Sequence, residues 1–422
     1  MNVSGLGPLS EDSRVVIIGG GPGGTATALA LQKEAQAMGR RIAVTIVEGK
    51  RFAGEQHHNQ CVGVLSSPIV ELVENGLGIP FPHHLNRHAI TGYVLHGHHN
   101  EITLDGETEP SIALRRILFD AYMLEAARQH GIEVIQARLT GLEFHADRVV
   151  VYTESKPLQA DMVVGAFGLD EGTAVLFQRA VGYHPPPYLS SVVTKFHPGI
   201  KGMARFGNRI HAFLPSVRWI EFGAVTPKGN HLTINIAGAC VNSHWMDYFL
   251  SLAEVCQLLP GIEKARCMAP DSICYFKGSF PCGLARNITG DRFVVMGDAA
   301  GLVRAFKGKG VNSAILTGIR AAHVILCEGI SAVAFQAYHR ANRDILNDLP
   351  YGQAMRYITI LAARLGLMDD VIRAARRSPE LRRALFDAVS AHRPYREVVR
   401  RSFAPASLGL IALGLVKGAL KR

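Results

Sequence analysis

An α/β fold is predicted: a parallel-sheet, Rossmann-like domain split along the chain, an antiparallel-sheet substrate domain carried between its pieces, and a C-terminal helical region. Three observations predict it. A glycine-rich strand–turn–helix opens the chain, a second such turn recurs near residue 300, and period-two alternation occupies stretches between them. With 422 residues, 48% of them hydrophobic, the chain can bury a core large enough for two or three packed modules.

Val15, Val16, Ile17 and Ile18 form a β-branched run, the pattern of a buried parallel strand. Gly19, Gly21 and Gly24 follow at G-x-G-x-x-G spacing, and Thr25 to Leu31 continues as a helix of small residues. In such a turn the first glycine permits the tight bend, the second lets a pyrophosphate approach the backbone, and the third lets helix and strand pack closely. The helix N-terminus adds free N–H groups and a partial positive charge for the phosphates. Ile42 to Val47 reads as the second strand and ends on Glu48, an acid at the offset where a ribose hydroxyl is taken. Strand, helix, second strand and terminal acid agree, so an adenine dinucleotide is the expected ligand.

The second turn specifies which dinucleotide. Asp291 to Met296 reads as a strand ending in Gly297-Asp298-Ala299-Ala300-Gly301, followed by a loop with Gly308, Gly310, Val311 and Asn312 and a helix from Ser313 to Ile325. This combination is what a split FAD site uses, with Asp298 on a ribityl hydroxyl. The helix N-terminus, pointed at the pyrimidine side of the isoalloxazine, would favour negative charge at N1 and the C2 oxygen. A site for a nicotinamide dinucleotide alone has no need of this second turn. FAD is the expected cofactor.

On these motifs the chain resembles the flavoprotein superfamily of p-hydroxybenzoate hydroxylase and, within it, the geranylgeranyl reductase family, most strongly over residues 14–60 and 286–327. Arg116-Ile117-Leu118-Phe119-Asp120 matches the family's R-x-x-F-D helix start, which implies that Arg116 contacts the FAD phosphates or ribityl chain. Departures are equally specific. The superfamily's G-A-D-G segment reads Gly165-Ala166-Phe167-Gly168, with Phe167 replacing the aspartate, which puts hydroxylase-type NADPH docking in doubt. The reductases' C-G-G-G turn reads Cys61-Val62-Gly63-Val64, and of their Y-x-W-x-F-P substrate signature only Pro215 agrees. The resemblance therefore carries fold and cofactor further than it carries substrate. Cys61 is the candidate catalytic residue, weighed evenly against a small buried thiol.

Interleaving assigns 1–80, 110–180 and 280–330 to the FAD-binding domain, 81–109 and 181–279 to the antiparallel substrate domain, and 331–422 to the helical region. Trp219 to Val225 and His231 to Ala237 alternate as strands, and Thr226-Pro227-Lys228-Gly229-Asn230 between them predicts a hairpin.

Seven cysteines lie at irregular spacing without a C-x-x-C pair, so no zinc site is expected, and a disulfide among Cys267, Cys274 and Cys282 stays open. His57, His58, His83, His84, His96, His98 and His99 lack the spacing of a metal site; His57 or His58 lies just upstream of Cys61 and is a candidate to line the flavin. No metal is expected. Met1 to Arg14 has no apolar segment of the secretory kind, and reduced thiols suit a cytoplasmic location.

The net charge of +10 is concentrated in C-terminal arginines, from Arg373 to Arg401. They precede an apolar run, Ser402 to Val416, too short and glycine-rich to span a bilayer. That run either lies in the interface of an anionic membrane, on its inner face, or packs on the protein's own core. No nucleic-acid motif accompanies the basic charge.

Three functions remain open. Following the resemblance, reduced FAD delivers hydride to a carbon–carbon double bond of a prenyl or other lipophilic small molecule. The electron donor is NAD(P)H, ferredoxin or another flavoprotein. A monooxygenase or halogenase-like enzyme is the second reading, although a W-x-W-x-I-P signature is lacking. A flavoprotein passing electrons to quinone is the third, and it would need a separate iron–sulfur partner.

Overall fold

The computed structural model describes residues 5–52, 61–106, 109–262, 274–304, 310–391 and 393–402. Gly308 and its neighbours Lys307 and Lys309, His57, His58, Cys267 and residues 403–422 lie outside these.

A six-stranded sheet is built from segments scattered along the chain. Its order is Thr289–Gly290, Phe293–Val295, Met162–Gly165, Arg14–Ile18, Ala43–Glu48 and Glu133–Gln136, parallel except at the first pair. Val15, Val16, Ile17 and Ile18 are fully buried, as a β-branched run between two parallel neighbours should be. Helix Pro22–Ala37 packs along helix Gly310–Cys327. Gly318 permits that crossing: a Cβ there would lie 2.8 Å from Thr27 Oγ1 and 2.9 Å from the Gly23 carbonyl. By length and composition Gly310–Cys327 is the one helix among the described residues able to cross a membrane, but most of it is buried in this core. A three-stranded antiparallel sheet, Leu139–Phe144, Val149–Thr153 and Leu158–Ala160, adjoins it, with Phe144 edge-on to Phe293 at 5.8 Å.

A second sheet has seven strands, in the order Phe276–Pro281, Tyr188–Phe196, His231–Gly238, Phe222–Lys228, Arg209–Phe213, Gly92–His96 and Glu101–Asp105. All its pairs are antiparallel except Arg209–Phe213 with Gly92–His96. The expected hairpin forms, displaced: its first strand starts at Phe222, not Trp219, and runs through Pro227 to Lys228. Proline is tolerated there because the neighbouring strand pairs only Gly223 to Val225, leaving an open edge beyond.

Alternation gives the two faces of this sheet different partners. Val192, Phe213, Val225, Ile234 and Ile236 pack with Met246, Phe249 and Val255 of helices Ser243–Ser251 and Ala253–Leu258. Tyr93, Leu95, Ile210 and Ala212 face the C-terminal helices through Ala363, Met368, Ile372, Leu381 and Phe386. Those helices, Gln336–Ala341, Arg343–Arg364, Met368–Arg377, Pro379–Ser390 and Tyr395–Ser402, follow the expected helical pattern over the described part.

Candidate functional site

The carboxyl ends of the parallel strands meet where the glycine turns begin, the usual ligand position of an open α/β sheet. Gly19 N–H donates to the Val47 carbonyl at 2.9 Å, Ala166 N–H to Ile18 at 2.8 Å, and Met296 N–H to Gly165 at 2.9 Å. Gly19 has φ +110°, and a Cβ on it would lie 2.5 Å from the Ala166 carbonyl oxygen. A Cβ on Gly24 would fall 1.9 Å from the Gly19 carbonyl, so the helix can sit on the turn only without a side chain there. On Gly21 an added Cβ meets nothing within 4 Å: it points into a cavity that Gly21 itself lines.

Glu48 is buried at the end of its strand and accepts N–H bonds from Gly20 and Lys50, both at 2.6 Å. Burial pushes its carboxyl above the usual range, and those two N–H groups partly oppose this. Asp298 lies in the first turn of the short helix Gly297–Ala300, and its carboxyl is also pushed up by burial, against the pull of Arg116. Its Oδ1 has no hydrogen-bond partner, and a Cβ on Gly310 would approach that oxygen to 3.1 Å. Arg116, first residue of helix Arg116–Gln129, is clamped by Asp120 through Nε–Oδ1 at 3.0 Å and Nη2–Oδ2 at 3.3 Å. Burial works against its charge, but Asp120, Cys61 and Asp298 hold its pKa above the ordinary value. Asn312 donates from Nδ2 to the Ser66 carbonyl at 2.8 Å, tying the helix that starts at Gly310 to the segment after Cys61. Val311 is half-buried and lines the same cavity.

Cys61 is exposed on the cavity wall, and its Sγ accepts the Gly63 N–H at 3.3 Å. Gly63 has φ +75°, and a Cβ there would lie 2.3 Å from the Leu114 carbonyl, so this turn keeps the one family glycine that its backbone requires. Phe167 lines the cavity with its ring against Phe177 at 4.8 Å and Tyr183 at 5.6 Å, offering no acceptor where the superfamily has its aspartate. Cys274 and Cys282 are free thiols. No cluster of three potential metal ligands occurs among the described residues.

Sequence reasoning missed two features. Lys228 is buried and donates from Nζ to the Val62 carbonyl beside Cys61. Burial, reinforced by Lys195, Arg115 and Arg116 although opposed by Cys61, pushes its pKa down to about 8. Counting alternate residues past Pro227 would have placed Lys228 on the face of Ala224 and Thr226. The second feature is a part-buried bidentate pair, Arg356 with Glu221, both contacts at 2.6 Å, which has no local signature.

The cavity is continuous and encloses about 1460 Å³. It runs from the fingerprint glycines and Asp298 to a wall of Leu189, Val193, Ile210, Ala212 and Phe280 on the seven-stranded sheet. Met355, Ala362, Val371, Leu381 and Leu385 of the C-terminal helices also line it. A buried carboxylate oxygen without a donor, glycines whose Cβ positions open inward or crowd that oxygen, and one continuous cleft fit a flavin dinucleotide.

No family model matches the chain. A curated relative, digeranylgeranylglycerophospholipid reductase 2 of Methanosphaera stadtmanae, is 25% identical over 319 residues, covering 74% of this chain and 77% of the relative. A solved geranylgeranyl bacteriochlorophyll reductase-like protein from Thermoplasma acidophilum superposes with TM-score 0.69 at 18% identity, over 93% of this chain and 99% of the other. A flavoprotein/dehydrogenase from Cytophaga hutchinsonii gives TM-score 0.67 at 16% identity, over 98% and 100%. Flavin-dependent halogenases share the fold as well.

Proposed function

We propose that this chain, a flavin-dependent oxidoreductase similar to the geranylgeranyl reductases, binds FAD and reduces a carbon–carbon double bond of a prenyl or other lipophilic molecule. The apolar continuation of the cavity carries this reading, because a long hydrocarbon chain needs a long water-excluding wall. The curated relative's name supports the substrate class.

The glycines Gly19, Gly21 and Gly24 would hold the pyrophosphate, Glu48 the ribose, and Asp298 and Arg116 the ribityl chain and phosphates. Gly308, Gly310, Val311 and Asn312 would hold the pyrimidine side of the ring, with Gly308 outside the described residues. When bound and reduced by an external electron donor, FAD would supply hydride to one carbon of the double bond, the other carbon taking a proton. The chain's own part is to exclude water with the sheet and the helices, and to keep Cys61 on one side of the cleft, where the buried Lys228 holds the adjoining Val62 carbonyl. In this reading the substrate domain is 81–109 with 181–279, and the FAD domain comprises 1–80, 110–180 and 280–330. The apolar run Ser402 to Val416, beyond the described residues except at its start, is proposed to rest with its flanking arginines on an anionic membrane surface.

Anaerobic photoreduction of the purified flavoprotein, followed by detergent-dispersed prenyl lipid, tests the reaction. Reoxidation under argon with a saturated product is expected. Oxidation only on admission of air, with an oxygenated product, would instead establish the monooxygenase reading, which the halogenase-like fold keeps in view.

A further inference from the structure

We propose that the outer face of helix Arg343–Arg364, with the adjoining segment around Trp219, docks on an anionic phospholipid bilayer and admits the lipophilic substrate to the cavity from it. The inference rests on reading the cavity as a lipid site.

Tyr357, Leu361 and Leu365 stand four residues apart and share one helical face. They are 66%, 58% and 57% exposed. Tyr351 is exposed on the same helix, and from Tyr351 to Leu367 the sequence holds Arg356 and Arg364 and no acid. The inward residues Met355, Thr359 and Ala362 line the cavity, so one helix forms both the cavity wall and the exposed stripe. Ile358 belongs to both: it lines the cavity and is 44% exposed, which brings the cavity to the surface beside the stripe.

The segment before the strand Phe222–Lys228 runs alongside. Arg364 Nη2 donates to the Arg218 carbonyl at 3.2 Å, and Arg356 grips Glu221. Between these ties Trp219 is exposed, its ring 5.3 Å below the Arg218 guanidinium and 6.0 Å from Trp245. Apolar side chains in the centre, Tyr and Trp at the margin and arginines around them are the composition that settles at a headgroup boundary. A contiguous apolar stripe of this kind is uncommon on a monomer facing only water. Charge selects the occupant. A net charge of +10 and a margin of Arg218 and Arg364 suit anionic headgroups. A two-fold contact between copies would set those arginines against each other without an acid on the stripe to receive them.

The chain has two tryptophans, so Trp245→Phe leaves Trp219 as the sole reporter. Full-length, flavin-loaded protein is mixed with phosphatidylcholine–phosphatidylglycerol vesicles with or without brominated acyl chains. Trp219 emission is expected to be quenched only by the brominated chains. Tyr357→Glu with Leu361→Glu should weaken vesicle co-sedimentation by about tenfold or more, since two apolar anchors become like-charged with the lipid. The same variant should reoxidise at the parental rate with detergent-dispersed prenyl lipid. Unquenched Trp219 in a protein that still sediments with vesicles overturns the proposal. So does loss of quenching on deleting 403–422 alone, or a dimer that the two glutamates dissolve. If the parent fails with detergent-dispersed lipid, the substrate reading falls, and quenching still decides the surface separately.

Discussion

Asp298 is buried with one carboxylate oxygen lacking a donor, an arrangement that is unfavourable in the protein alone and relieved by a ligand hydroxyl. Asp298→Ala should therefore weaken flavin retention by roughly ten- to a hundredfold, the worth of about 1.5–3 kcal/mol for a hydrogen bond to a charged group. The apoprotein should unfold at no lower urea concentration than the parent. Flavin content after dialysis and a urea titration check the two halves of this expectation. The glycines make a sharper pair. A valine at Gly21 projects into open cavity, whereas one at Gly24 strikes the Gly19 carbonyl at 1.9 Å. Gly21→Val should fold and purify colourless; Gly24→Val should lose solubility. Equal behaviour of the two variants would remove the distinction between a cofactor glycine and a packing glycine. Cys61, exposed on the cavity wall, is expected to leave flavin binding untouched on Cys61→Ser while changing substrate turnover. An unaltered rate would return it to an ordinary thiol.

Strand pairing brings together groups that no local pattern joins. Gly92–His96 and Arg209–Phe213 run parallel, and His96 Nε2 lies 2.8 Å from His211 Nδ1, with the His96 ring stacked on Phe213 at 4.4 Å. Burial first, then the charges of His96 and Arg209, pushes the His211 imidazole down to about 3. An unfolded histidine binds its proton near pH 6.5, so between about 6.5 and about 3 the unfolded chain carries a proton that the folded chain refuses. Stability should fall as pH falls through that window, by up to roughly 1.4 kcal/mol per pH unit from this residue. His211→Phe should flatten that slope in urea titrations run from neutral to acid pH, and an unchanged slope would assign the acid sensitivity elsewhere. Legibility in the sequence followed the same division. The β-branched run and the glycine turns could be read because each demands a backbone geometry that few residues supply, and Glu48 because an acid closes the second strand. The hairpin could be read in kind but not in extent, because Pro227 signals a turn while the structure keeps it on an open strand edge. Lys228 was hidden by that same signal. Helices Ser243–Ser251 and Ala253–Leu258 interrupt a region read as strands, because their apolar spacing suits either period over so few residues.

The molecule is held around its cavity by contacts between distant segments, and these were the least legible. Glu221 precedes a sheet strand and Arg356 lies on a C-terminal helix, 135 residues later, yet their part-buried bidentate pair joins the two cavity walls. Removing one member leaves the other without its partner: Glu221→Gln should cost about 1–3 kcal/mol, less than for a fully buried pair because both groups border the cavity. Glu221→Gln combined with Arg356→Met should recover most of it, because the double variant buries no lone charge. Urea titrations of the three variants give the coupling, and simple additivity would show the pair to be incidental. The cavity between those walls supports the final expectation. Its helical wall is largely aliphatic, and Ala362 is one of the small residues on it. Ala362→Trp puts an indole into space that a long hydrocarbon would occupy, without touching the residues around Asp298. Flavin content should stay at the parental level. Turnover should fall steeply for long prenyl chains and little for short ones, with the loss in KM more than in kcat, since the lost contacts are uniform binding and not made at the reacting carbons. Equal losses across chain lengths would mean that the hydrocarbon lies elsewhere and that the helical wall serves the fold alone.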